Sequence, residues 1–72
     1  MSFLMTWVMG MVILITPQPT TDCTRVISQA IGEVQREAQM NGGMITIGRV
    51  RHPINHIEFS CGPQPIPLGT TR

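Results

Sequence analysis

The sequence predicts an α+β chain: an N-terminal apolar helix, then a small α-β-β module with one amphipathic helix on a two-stranded antiparallel hairpin, closed by a single disulfide. Three observations lead there. Residues 3–15 are apolar and uncharged, residues 23–38 repeat apolar positions at helical spacing, and residues 44–61 contain two alternating runs. The expected layout is a signal- or anchor-like segment over 1–16, a proline linker over 17–19, the α-β-β domain over 20–62 and a proline-rich tail over 63–72.

The N-terminal run reads FLMTWVMGMVILI, and the first charged side chain is Asp22. As a helix it would be roughly 20 Å long at 1.5 Å per residue. That is short against a hydrocarbon layer of about 30 Å, and it matches the apolar region of a secretory signal, roughly 7–15 residues. Phe3, Trp7, Val12, Ile13, Leu14 and Ile15 are the expected membrane-segment residues. Two features depart from a signal: no Lys or Arg precedes the run, and no small-x-small cleavage site stands before Pro17. The competing reading folds the run into the core of a cytosolic protein.

Thr20, Thr21 and Asp22 carry side-chain oxygens suited to the free N–H groups of a first helical turn. From there Cys23, Val26, Ile27, Ala30, Ile31, Val34 and Ala38 form one stripe of a 3.6-residue helix. Arg25, Gln29, Glu33, Arg36 and Glu37 fall on the wet face. Glu33 and Glu37 are a like-charged i, i+4 pair, mildly unfavourable in isolation. Asn41-Gly42-Gly43 ends the helix, because Gly and Asn accept the left-handed cap conformation.

Met44 to Arg51 is expected as the first hairpin strand, with Gly48-Arg49 as a bulge that brings Val50 into step. His52-Pro53-Ile54-Asn55 is the expected turn, and His56 to Cys61 the second strand, with Ile57, Phe59 and Cys61 on one face. Cys23 then lies on the apolar stripe and Cys61 on the apolar strand face. If those faces meet, the thiols meet. A chain of 72 residues buries little core and depends on such a staple. A disulfide in turn implies an oxidising, extracytoplasmic compartment.

Composition excludes several functions. The net charge is +1, there is no lysine, and only Phe3, Trp7 and Phe59 are aromatic. Neither a basic patch nor a base-stacking platform exists, so no nucleic acid is expected as partner. No glycine-rich phosphate loop occurs. His56, Glu58 and Ser60 alternate on one strand face, so they point outward in a row and do not converge as a hydrolase triad must. His52 and His56, with Cys23 and Cys61, offer zinc-type ligands, but the cysteines are too far apart in sequence for a finger. No cofactor or metal is expected, with the His52/His56 pair as the minor alternative. The tail from Gly62 to Gly69 reads as polyproline-like and loose.

The expected function follows. It is a small exported or membrane-tethered protein-interaction module without catalytic activity, binding a protein partner or itself, with a membrane as a further surface. Arg49, Arg51 and Glu58, with the strand edge over 44–50, are the expected interaction residues. The alternatives are a membrane-active lysis or pore-type accessory peptide, and a cytosolic small binding protein.

Overall fold

A computed structural model describes all 72 residues. The chain runs β1 (Ser2–Val8), β2 (Met11–Gln18), α1 (Cys23–Met40), β3 (Met44–Ile47), β4 (Val50–Pro53), a 3-10 turn (Ile54–His56) and β5 (Ile57–Gly62). One antiparallel sheet has the order β2-β1-β5, and β3 and β4 form a separate two-stranded ribbon.

The expected N-terminal helix is absent. The apolar run is a β-hairpin, and its first strand is the centre of the sheet. Two local causes act together. Val, Ile, Thr and Trp suit the pleated surface of a strand. Met9 and Gly10 both adopt positive φ, at 50° and 81°, so a two-residue turn reverses the chain midway. The run lacks alternation because both faces of β1 are covered and β2 is irregular. The ladder shifts between Thr6 and Trp7, where Thr6 faces Leu14 but Trp7 faces Val12. Ile13 is the extra residue, and Val12 and Ile15 therefore share a side. Pro17 and Gln18, expected in a linker, belong to β2. A proline there is tolerated because β2 is an edge strand. No helix of the chain is long and apolar enough to cross a membrane.

The expected hairpin between residues 44–51 and 56–61 is also corrected. Gly48 and Arg49 are not a bulge but a second two-residue turn, with φ of 57° and 72°. They split the first run into β3 and β4, paired Ile47 to Val50 and Met44 to Pro53. The second run, released from that pairing, lies against β1, with Leu4 opposite Cys61 and Thr6 opposite Phe59. The sequence from Pro53 to His56 links the two sheets.

The helix forms as its sequence dictates. The Asp22 carboxylate accepts the Arg25 N–H at 3.2 Å, and Thr20 Oγ1 accepts the Asp22 N–H at 3.0 Å. At the other end the Gly43 N–H donates to the Ala38 carbonyl at 2.7 Å, past Gly42 at φ 65°. That is the 6→1 bond of a Schellman cap.

Two apolar layers flank the sheet. On one side Leu4 packs with Val26 and Ala30 of α1, joined by Ile27, Phe59 and Cys61. On the other, Met5, Trp7 and Val12 pack with Phe3, Ile15 and Ile66. The second layer closes because the proline-rich tail is docked rather than loose. The Gly69 N–H donates to the Val12 carbonyl at 2.8 Å, the Val12 N–H to Thr70 at 3.0 Å, and the Arg72 N–H to Gly10 at 2.9 Å. The tail thereby pairs with one end of the β2 edge while Ile66 covers the apolar face.

Candidate functional site

The Cys23–Cys61 disulfide forms as the apolar faces required, with 5.5 Å between the Cα atoms and a sequence separation of 38. It ties the first residue of α1 to β5, and so pins that end of the helix to the sheet. No free cysteine remains.

The edge of β5 is open. Met9 donates its N–H to the His56 carbonyl at 3.1 Å, which sets the phase of the β1–β5 ladder. Alternation then turns the backbone N–H and C=O of Phe59 and Cys61 away from β1, where no strand follows. Beside this edge runs a groove of about 430 Å³. Ile31 and Val34 of α1 form one wall, Ile54 closes the end, and Ile57 and Phe59 form the floor. Ile31 sits on the predicted apolar stripe, yet it is 42 % exposed because nothing fills the groove beside it.

The expected interaction residues do not gather. Arg49 is the exposed tip of the β3–β4 turn, and Arg51 is exposed on β4. Glu58 lies on the other sheet and forms an ion pair with Arg72. The edge over 44–50 is partly closed, since Glu37 Oε2 accepts the Thr46 N–H at 2.7 Å. Of the expected membrane-segment residues, Trp7 and Val12 are core, and Phe3 and Ile15 pack beside them. Leu14 faces the helix side of the sheet.

The polar residues of β5 hold structure. Ser60 Oγ accepts the Trp7 indole N–H at 2.8 Å, and Glu58 holds Arg72, whose guanidinium lies 4.8 Å from the Trp7 ring centroid. His52 lies on β4 opposite Ile45, and His56 ends the 3-10 turn. No three His, Cys, Asp or Glu side chains come together to hold a metal.

Sequence reasoning missed Ile31, Ile54 and Phe59 as groove residues. Only the mismatch between a wide apolar stripe on α1 and the few residues available to cover it signals them. No protein-family model matches the chain, and no curated protein or solved structure matches it either.

Proposed function

We propose that this chain is a small extracytoplasmic binding module, without catalytic chemistry of its own, that takes an extended protein segment onto the outer edge of β5. The observation that carries the reading is the pairing of an unfilled ladder with an apolar groove alongside it. A strand added there gains main-chain hydrogen bonds from Phe59 and Cys61. Its alternate side chains fall into the groove between Ile31, Val34 and Ile54. The disulfide holds β5 and α1 at a fixed separation, so little order is lost on binding. The same bond supports an oxidising compartment.

The test is selection of random peptides on the oxidised protein, followed by amide chemical-shift mapping. Selected peptides should perturb residues 57–62 together with Ile31 and Val34. Backbone N-methylation at alternate peptide positions should abolish binding, and Ile31→Asp should weaken it at least about tenfold, as loss of an apolar anchor does. Binders that map elsewhere, or that tolerate N-methylation throughout, would rule out strand addition.

A further inference from the structure

The strand edges of this chain are treated unequally. The outer edge of β2 is interrupted by the extra residue Ile13, carries Pro17, and is paired at one end by the tail through Met11 and Thr71. In β3 the Thr46 N–H is taken by Glu37. Bulges, prolines and covering segments are the means by which sheets discourage a further strand. The edge of β5 has none of them. Its residues, Ile57-Glu58-Phe59-Ser60-Cys61-Gly62, include no lysine and no proline, and its ladder to β1 runs without a register shift. The one charged side chain, Glu58, is held by Arg72 of the same chain. Nothing on this edge repels a copy of itself.

A bare edge beside an apolar groove takes a strand with apolar residues at alternate positions. β5 is itself such a strand. Ile57, Phe59 and Cys61 share the helix-facing side. The main-chain groups of Phe59 and Cys61 point outward in the same phase. We propose that the segment received by the β5 edge is β5 of a second copy of this chain, antiparallel about a two-fold axis at Phe59. The inference rests on the strand-addition reading above and names its partner.

The local sequence selects that axis. Antiparallel strands exchange hydrogen bonds only between residues that both face outward, so the axis falls at Glu58, Phe59 or Ser60. At Glu58 it would set the two Glu58 carboxylates directly opposite each other, which is unfavourable. At Ser60 it would set Pro63, which has no N–H, opposite Ile57, and would carry the second Phe59 away from the groove. At Phe59 neither occurs. The two Phe59 residues exchange N–H and C=O, and each Cys61 N–H meets the Ile57 carbonyl of the other copy. The Ile57 N–H is not needed there, because it already donates to the Ile54 carbonyl. Glu58 then stands opposite Ser60, so no like charges meet. The paired rings close the Ile57–Phe59 floor of each groove, an arrangement that aromatic cross-strand pairs favour. The two three-stranded sheets join into one, ordered β2-β1-β5-β5-β1-β2, with both helices on one face. Ile31, 42 % exposed in the single chain, lines the side of α1 that turns toward the second helix.

The experiment weighs the oxidised full-length protein by sedimentation equilibrium, then mixes isotope-labelled with unlabelled chains and records intermolecular NOEs. The expected mass is twice 8.0 kDa. The expected intermolecular contact joins the Hα of Glu58 to the Hα of Ser60, the close pair that only the Phe59 axis creates. N-methylation of Phe59 in synthetic protein removes an outward N–H and breaks no bond within the chain. It should weaken the dimer at least about tenfold, since both copies lose a main-chain hydrogen bond, while amide dispersion persists. A single-chain mass at about 1 mM protein, the weak end of specific association, would overturn the proposal. A dimer whose contacts lie outside residues 57–62, or one that survives N-methylation, would overturn it as well. Selected peptides that still bind residues 57–62 of a single-chain protein would leave the strand-addition reading standing without this partner. A single-chain protein that takes no peptide there would remove both.

Discussion

Trp7 donates its indole N–H to the hydroxyl of Ser60 at 2.8 Å, across fifty-three residues of sequence. The bond lies on the tail side of the sheet, where Trp7 is diagonal to Ser60 on adjacent strands. It satisfies the one polar atom that burying the indole would otherwise strand. Ser60→Ala leaves that N–H without a partner, and the expected cost is about 1–3 kcal/mol. Urea unfolding followed by Trp7 fluorescence measures it. A loss under a few tenths of a kcal/mol would show that water replaces the hydroxyl freely.

The docked tail makes a separate prediction. Ile66 packs on Met5, Trp7 and Val12, and Arg72 stacks over the indole. Ile66→Ala should cost about 1–2 kcal/mol, below the range of roughly 2–5 for a fully buried isoleucine because Ile66 is half-buried. Arg72→Ala removes a cation–π contact worth about 0.5–1 kcal/mol at an exposed site. Both changes should shift Trp7 emission to the red, because both uncover the ring. A tail that floats free would leave the emission unchanged.

The disulfide closes a loop spanning 38 residues. The chain-entropy relation assigns such a loop about 4 kcal/mol, acting mainly on the unfolded state. For a domain whose whole stability is of order 5 kcal/mol, removal is decisive. The double variant Cys23→Ser, Cys61→Ser should be largely unfolded at 37 °C, with collapsed amide dispersion. Native-like spectra in that variant would show that the two apolar layers suffice without the staple.

How much of this was legible follows from which residues carry local signals. The helix was legible, because Asp22, the stripe from Cys23 to Ala38 and the Asn41-Gly42-Gly43 stop each act within a few residues. The staple was legible because both cysteines lie on apolar faces, whichever strand pairs with the second one. The apolar run was not, since a strand covered on both sides gives no alternation and resembles a short buried helix. Gly10 within the run, and the Thr, Val, Ile and Trp around it, were the signal for a turn between strands. The pairing of β5 with β1 was not legible either. It joins residues from Val8 and Ile57 to Phe3 and Gly62, distant in sequence, and nothing near Ile57 specifies which strand it meets. The β5 groove exists only as a space between elements, so it has no sequence motif.

The two turns test the fold in the stabilising direction. Met9 and Arg49 each hold a positive φ, 50° and 72°, in a two-residue hairpin loop. Side chains with a Cβ are strained there, and Asn is tolerated better because its short polar group bonds locally. Neither side chain is buried, so the exchange sacrifices no core packing. Met9→Asn and Arg49→Asn should each stabilise by about 0.5 kcal/mol, within the span of such backbone effects. Gly10→Ala should do the reverse, costing about 1 kcal/mol at φ 81° although no atom blocks the added methyl. The strain is in the backbone alone, so the three variants isolate turn geometry from packing. Thermal unfolding of all three, with the disulfide intact, gives the comparison. Destabilisation by Met9→Asn together with a neutral Gly10→Ala would mean that the chain does not reverse at residues 9 and 10, and β1 would lose its place at the centre of the sheet.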